Sequence, residues 1–426
     1  MRILIQGINY APELTGIGKY TGEMAERLAE SGHEVTVITA PPYYPEWKIQ
    51  NSYKGKGWHV EYLNGVRIFR VPLYVPAKVN SLKRIMHEFS FLLSTLPIWV
   101  QFIFSRKFDI VFSIAPPFHL SFLPLLYGKL RNVPVESHIQ DLQVDAAKEL
   151  GMIKNHRFLN LMFTLERFTL KHSSCVSTIS NGMMRNILKK GIVNEKTTIV
   201  PNWVDTDFIK PLPPEASLRQ KFNIPLSDKV VLYSGNLGEK QGLEIIMDVA
   251  EKFRSQSNLH FLIVGSGGTK QQLQQKAEER QLSNVHFYPL QPYEQLGALL
   301  ATADVHLVLQ RKAAADLVMP SKLSGILSAG GCAIVTASPG TYLYEIVDRN
   351  NMGIIVEPES PSALCQALIN ALNDSGIEKY KQNARTFAEQ NLSKGQILRF
   401  LEHHLERVAT KNTREEPLPQ FSISHA

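Results

Sequence analysis

Short apolar runs alternate with helical segments twice along this chain, and that alternation constrains the fold more than any other feature. In the first half, the predicted strands cover 2–7, 34–40, 108–115, 134–141, 175–180 and 197–202. In the second half, they cover 229–236, 260–267, 284–290, 305–310, 333–338 and 353–358. Strands that alternate with helices of roughly 10–15 residues indicate βαβ units and parallel sheets. The sequence therefore predicts an α/β protein with two doubly wound, Rossmann-like domains.

Prolines mark the predicted boundary between these domains. Four of them interrupt the periodic pattern between residues 205 and 226. We therefore expect a first domain over 1–205, a second over 206–393, a helix over 394–410 that crosses back to the first, and a disordered tail over 411–426. Because ligands bind at the carboxyl ends of the strands in such sheets, two facing domains predict one cleft between them.

Charge is distributed unevenly between the two halves. Residues 1–205 contain 24 basic and 16 acidic side chains, whereas the rest of the chain contains 22 and 23. The first half is therefore expected to meet an anionic partner, such as phosphate, nucleic acid or an anionic membrane surface. A basic face that serves only solubility is the alternative. No nucleic-acid-binding module is recognisable, so a specific nucleic-acid partner is not expected.

The longest apolar stretch, residues 89–104, has 16 residues and contains Pro97. It is shorter than the roughly 20 residues that span a bilayer, and basic residues flank it. A helix at a membrane interface and a buried core helix both fit this pattern. No signal peptide is visible, which favours a cytoplasmic protein.

Two glycine-containing loops each join a predicted strand to a helix. Gly16 and Gly18 belong to the first loop; Gly235, Asn236 and Lys240 belong to the second. Glycine lets the backbone approach an anion closely, and a helix N-terminus offers free N–H groups. Both loops are candidate diphosphate sites, although a simple tight turn also explains the first and a surface lysine is the alternative for Lys240.

Two further motifs carry polar residues to predicted strand or helix ends. His138 and Asp141 lie at the carboxyl end of a predicted buried strand, where they would face the cleft. A buried structural histidine is the alternative for His138. Ser321 and Lys322 follow Pro320 at a helix start that suits phosphate, or that is an ordinary capping loop. The sequence has no HExxH, CxxC or GxSxG motif, we find no paired DxD that would hold a divalent ion on a diphosphate, and the three cysteines have no metal-ligand spacing. We expect neither a metal nor a cofactor.

Several ordered motifs resemble retaining glycosyltransferases of family 4, which have the GT-B fold. They lie at residues 8–45, 138–145, 180–182, 200–208, 233–242 and 319–331. The resemblance spans about residues 1–400 and is closest to the WcaI-like group linked to colanic acid and other bacterial exopolysaccharides.

This resemblance implies transfer of a sugar from a nucleotide-diphosphate donor, with retention and without a metal. It places the donor in the second domain and the acceptor in the first. The implied acceptor is a polyprenyl-diphosphate-linked saccharide at the inner face of the plasma membrane, where the enzyme would be peripheral. GDP-fucose is the donor suggested by the group, and UDP-sugars remain open.

The resemblance also assigns roles to individual residues. His138 and Lys240 become the catalytic candidates. The donor's diphosphate and sugar are expected to contact Gly16, Gly18, Gly235, Asn236, Lys240, Ser321 and Lys322. Its nucleotide is expected near Gly265, Leu290 and Asp316.

The chain departs from the family pattern at the donor motifs. Asn236 stands where an arginine is usual, Lys240 is one place early, and Gly325 replaces a glutamate that binds ribose. Two alternatives therefore remain open. One is a GT-B-fold sugar-nucleotide epimerase or hydrolase, and the other is a non-catalytic, membrane-associated adaptor with a degenerate donor site.

Overall fold

The computed structural model describes residues 1–13, 16–78, 80–149, 151–153, 155–314, 320–373 and 376–410. The chain divides into two compact units. Unit 1 contains Met1–Pro201 and the C-terminal helix from Gln396 onward, and unit 2 contains Asn202–Gly395. The division therefore falls after Pro201, four residues before the predicted boundary.

Unit 1 is built on a sheet in which the strand order is β3-β4-β2-β1-β5-β6-β7-β8. Its strands are β1 (Arg2–Gln6), β2 (Glu34–Thr39), β3 (His59–Leu63), β4 (Val66–Arg70), β5 (Ile110–Ala115), β6 (Val135–Ile139), β7 (Cys175–Thr178) and β8 (Thr197–Ile199). Its helices are α1 (Gly16–Glu30), α2 (Ser81–Ile103), α3 (Phe122–Arg131), α4 (Gln143–Glu149), α5 (His156–His172) and α6 (Asn181–Lys189), joined by the C-terminal α14 (Lys394–Ala409). The strands pair in parallel except β3, which is antiparallel to β4.

Unit 2 is built on a second parallel sheet, with the order β11-β10-β9-β12-β13-β14. Its strands are β9 (Lys229–Asn236), β10 (Leu259–Ser266), β11 (Val285–Tyr288), β12 (Val305–Val308), β13 (Ala333–Thr336) and β14 (Ile354–Val356). Its helices are α7 (Glu244–Lys252), α8 (Lys270–Glu279), α9 (Leu296–Leu300), α10 (Ser321–Ser328), α11 (Tyr342–Arg349), α12 (Pro361–Asn373) and α13 (Ile377–Asn391).

Each sheet has a point at which its strand order reverses. In unit 1, β1 lies between β2 and β5. In unit 2, β9 lies between β10 and β12. The apolar segments 3–5 of β1 and 230–233 of β9 are buried, as the central parts of parallel strands must be. Because open α/β sheets bind ligands where the strand order reverses, the loops after β1 and β9 are the candidate ligand-binding loops.

Helix α2 presents apolar side chains on two faces. Phe91, Trp99 and Phe102 are buried against the sheet. A second row is exposed at spacings of three and four residues, and we call it the outer seam: Leu82, Met86, Phe89, Leu93, Leu96 and Val100. The segment therefore has both a core-facing and a solvent-facing apolar side. No helix in the described ranges is long and apolar enough to span a bilayer.

Candidate functional site

The loop after β1 is organised by the carboxylate of Glu13. Its Oε1 accepts hydrogen bonds from the backbone N–H groups of Tyr43 at 3.0 Å and Tyr44 at 2.9 Å, and its Oε2 accepts one from Asn9 at 2.9 Å. Burial outweighs these hydrogen bonds and raises the pKa of Glu13 to about 7. Glu13 thus joins the loops that follow β1 and β2. Sequence analysis missed it, since a lone carboxylate beside glycines has no motif.

The two glycines of this loop have different environments. Gly16 is exposed, has φ +62°, and a Cβ there would meet only the Tyr44 ring at 3.5 Å. A Cβ on Gly18 would lie 2.6 Å from Glu13 Oε2. Gly18 is therefore required for packing inside unit 1, a different reason from the close approach to phosphate that we predicted. Gly16 keeps an open position at the loop.

His138 lies within β6 and is buried. Its ring stacks on Phe112, with Nδ1 2.9 Å from Ser177 Oγ and Nε2 2.9 Å from Gln140 Nε2. Burial lowers the pKa of His138 to about 4, so the ring is neutral near pH 7. His138 is therefore buried, as in the structural alternative that the sequence left open, and its contact with the donor stays a prediction. Since β6 ends at Ile139, Gln140 is the next side chain on the same side toward that edge.

A buried hydrogen-bond chain continues from His138 to the C-terminal helix. The Ser177 hydroxyl donates to Glu136 Oε1 at 2.5 Å, and His404 Nε2 lies 2.9 Å from Glu136 Oε2. Burial alone would raise the pKa of Glu136, but His404 and Ser177 outweigh it, and the pKa is lowered. We call the series His404–Glu136–Ser177–His138–Gln140 the buried relay. It links α14 to the carboxyl end of β6.

One group in the described residues has metal-ligating side chains close together. The ligand atoms of Glu136, Cys175 and His404 all lie within 4.8 Å of one another, and all three residues are buried. Cys175 Sγ is 3.7 Å from His404 Nε2, and burial raises the pKa of its thiol. Their mutual hydrogen bonds account for this cluster without an ion.

Glycines bring the ends of β9 and β10 unusually close together in unit 2. A Cβ on Gly265 would lie 1.9 Å from the carbonyl oxygen of Gly235, and both residues have positive φ. Asn236, the last residue of β9, is exposed. The missing side chains let the two strand ends pack directly against each other, and ligand binding at this edge stays a prediction.

Lys322, in the first turn of α10, reaches this glycine edge. Its Nζ lies 3.5 Å from the centroid of the Tyr233 ring, and a Cβ on Gly235 would lie 3.2 Å from its Cε. The nitrogen is buried and has no hydrogen-bond partner among the described residues. Burial lowers the pKa of Lys322 to about 7. Buried amines ordinarily have an acceptor, so Lys322 is a candidate contact for an anion.

The other predicted donor residues lie in different surroundings. Lys240 is half-buried, and its carbonyl oxygen accepts a hydrogen bond from Arg311 N at 2.9 Å. Ser321 is exposed at the start of α10, and Leu290 is exposed beyond the end of β11. Asp316 lies outside the described residues. The structure thus brings Lys322 to Gly235, which packs against Gly265, and it places Asn236 at the end of β9 and Lys240 on the connection that follows.

Arg311 is a further residue that sequence reasoning missed. Its Nε donates to the carbonyl oxygen of Glu239 at 2.8 Å, and its other nitrogens pair with Glu244 and with Glu359, the latter at 3.0 Å. These bonds hold the connection between β9 and α7. The available signal was its place just after β12, the strand next to β9 at the point of reversal.

Family models match both halves of the chain. The model of the glycosyl transferase 4-like domain matches residues 15–203, and that of glycosyl transferases group 1 matches residues 215–390. The chain is also 41% identical over 409 residues to the putative colanic acid biosynthesis glycosyl transferase WcaI of Escherichia coli strain K12. That match covers 94% of this chain and 98% of the relative. The chain belongs to the WcaI family of glycosyltransferases.

Solved structures confirm the fold expected for this WcaI-family chain. Sucrose-phosphate synthase from Thermosynechococcus elongatus has a TM-score of 0.74 at 16% identity, over 96% of this chain and 99% of that one. HepE from Anabaena, solved with UDP and glucose, has a TM-score of 0.70 at 15% identity, over 95% and 99%. The two doubly wound domains of the GT-B fold, predicted from the strand pattern, are thus confirmed.

Proposed function

We propose that this glycosyltransferase transfers a sugar from GDP-fucose or a UDP-sugar to a lipid-linked saccharide during exopolysaccharide synthesis, with retention of configuration. The observation that carries the proposal is Lys322, whose buried nitrogen has no hydrogen-bond partner among the described residues and reaches the glycine edge of unit 2. A diphosphate at that edge would supply the anion that this nitrogen lacks. The name of the Escherichia coli relative supports the exopolysaccharide, and the UDP bound by HepE supports the donor class.

The proposed mechanism depends mainly on stabilising the negative charge that develops on the departing diphosphate. The bond between the sugar's anomeric carbon and the diphosphate breaks, and the acceptor oxygen forms the new bond from the same face. The acceptor's proton passes to the departing phosphate oxygen. Lys322, Lys240 and the N–H groups of the glycine edge stabilise the charge that develops there. No protein nucleophile takes part.

His138 enters the proposal as a positioning residue. Its Nε2 accepts a hydrogen bond from Gln140, so it fixes the one side chain of the buried relay that approaches the edge of unit 1. We expect Gln140→Ala to lower turnover with little loss of stability, because Gln140 ends the relay. We expect His138→Ala to lower both, because it also leaves Ser177 without one partner. Unchanged turnover in both variants would remove this part of unit 1 from the proposal.

Thermal-shift binding against UDP-, GDP-, dTDP- and ADP-sugars tests the donor. A ligand at 100 times its Kd adds about 2.7 kcal/mol of stability, which raises the melting temperature measurably. We expect a selective shift with one nucleotide. No shift with any of them would contradict the proposal. Donor consumption without an acceptor would favour the epimerase or hydrolase instead.

The outer seam of α2 supports the proposed place of action, the inner face of the plasma membrane. Six apolar side chains are exposed in one row, and Lys83 and Lys107 lie near its two ends. Such a surface combines apolar burial with attraction to anionic lipid. Arg84 contributes less charge, since it pairs with Glu88 at 3.1 Å.

Sedimentation with phosphatidylglycerol-containing vesicles tests this docking. Leu93→Gln in the outer seam should weaken binding, and so should the pair Lys83→Gln with Lys107→Gln. The matched control is Lys379→Gln on an exposed part of α13 in unit 2. Equal sedimentation of all variants would count against docking through α2.

A further inference from the structure

Among the residues that the structure describes, Lys322 is offered an aromatic face but no anion. Its Nζ lies 3.5 Å from the centroid of the Tyr233 ring, which is completely buried in β9. The phenol hydroxyl of Tyr233 is turned to another acceptor, since it donates to the carbonyl oxygen of Asn236 at 2.7 Å. Lys322 thus packs against a ring whose polar atom is already used.

Burial makes the protonated form of this amine unfavourable in free energy. Transfer of an ammonium group from water into a protein interior is unfavourable unless a paired charge compensates. A cation over an aromatic face recovers part of this cost, but the ring carries no net charge. The pKa of Lys322 is accordingly lowered to about 7, with burial as its cause and no charged side chain of the described residues contributing. The titratable group that faces it is Tyr233, and burial raises that pKa, so the phenol stays neutral.

We propose that Lys322 is only partly protonated in the free enzyme near and above neutral pH, and that it takes up a proton when the donor's diphosphate binds at Gly235. The proton comes from the buffer, an N–H bond forms at Nζ, and no other covalent bond changes. The arriving diphosphate supplies the anion that makes the charged form favourable. This inference rests on the proposed donor site and adds that donor binding is coupled to protonation.

The contact between Lys322 and Gly235 explains why a bound diphosphate would act directly on this amine. Lys322 contacts Gly235, where a side chain would collide with its Cε, so a ligand that follows the glycine edge meets this amine directly. A nucleotide sugar carries no phosphate that titrates near neutral pH, because both phosphates are doubly esterified or bridged. Proton uptake on binding a nucleotide sugar would therefore come from the protein.

Isothermal titration calorimetry of the full chain tests the coupling. GDP-fucose and UDP-glucose are titrated at pH 8 in two buffers that differ in ionisation enthalpy, and the difference in heat gives the protons taken up. Because burial lowers the pKa of Lys322 to about 7 in the free enzyme, we expect clear proton uptake on donor binding at pH 8 and close to none at pH 5.5. Lys322→Arg, which stays charged, should take up none.

The outcomes separate this inference from the proposed function. Binding with no proton uptake at pH 8 would overturn the coupling and leave the donor site intact. Equal uptake by wild type and Lys322→Arg would also overturn it, because another group would then be the one protonated. If the arginine variant does not bind, the pH profile of the wild type decides. No binding of either donor would overturn both proposals.

Discussion

Removal of His404 should destabilise unit 1 more than a typical core substitution. His404 and Glu136 are both completely buried, and their nitrogen and oxygen lie 2.9 Å apart. His404→Ala leaves the Glu136 carboxylate in the core with only the Ser177 hydroxyl as a partner. Breaking a buried pair by removing one member costs about 3–5 kcal/mol. That is a large share of the 5–15 kcal/mol that holds a typical domain together.

Urea denaturation followed by tryptophan fluorescence measures this loss, since Trp47, Trp58 and Trp99 all lie in unit 1. The pKa of Glu136 is lowered in the folded chain, so the contribution of the pair is complete above the ordinary carboxyl pKa and is lost as the pH falls through the folded value. The difference between wild type and His404→Ala should therefore shrink in acid.

Two variants control this experiment. His403→Ala removes the exposed neighbouring imidazole of α14 and should change stability by less than about 0.5 kcal/mol. Glu136→Gln combined with His404→Ala should be more stable than His404→Ala alone, because no unpaired charge is then buried. A loss of under about 1 kcal/mol in His404→Ala, or no recovery in the double variant, would refute the reasoning.

Three further substitutions give distinct expectations. Gly265→Ala should destabilise unit 2 by about 3 kcal/mol or more in chemical denaturation, because its Cβ would lie 1.9 Å from a carbonyl oxygen; tolerance of alanine would contradict that close approach. Gly325→Ala in α10 should stabilise by about 0.5–1 kcal/mol, since its Cβ would only touch Leu300 at 3.7 Å; a loss would show that this space is occupied. Glu13 has a raised pKa, so its neutral form is favoured on folding, and wild-type stability should fall as the pH rises from about 4.5 through 7. Glu13→Gln should remove that slope in pH-dependent thermal unfolding, and an unchanged slope would assign it to another group.

Much of the fold could be predicted from the sequence, because parallel strands buried on both faces have uninterrupted apolar runs. The hairpin of β3 and β4 was missed, although Asn64 and Gly65 have the positive φ values of its tight turn and are a known hairpin signal. Strand β3 alternates in burial and lies at the edge of the sheet, so it lacks the uninterrupted apolar pattern of a central strand.

The candidate site was less predictable than the fold. Motif spacing located the glycine edge of unit 2 and included Lys322, but it could not indicate that the lysine packs on Tyr233 with no acceptor. His138 was placed at a strand end from local polarity, whereas β6 keeps it inside and hydrogen-bonded to Ser177. These relationships depend on contacts between residues 39 to 89 positions apart, which no local pattern encodes.

The affinity of Lys322→Met for a nucleotide sugar tests the central claim most directly. The donor selected in the thermal-shift panel is titrated into wild type, Lys322→Met and the exposed control Lys379→Met at pH 6.5. A charged hydrogen bond contributes about 1.5–3 kcal/mol, so the account predicts a Kd about 10- to 100-fold weaker in Lys322→Met and unchanged in Lys379→Met. Equal affinities in all three proteins would contradict the assignment of Lys322 to the donor's diphosphate.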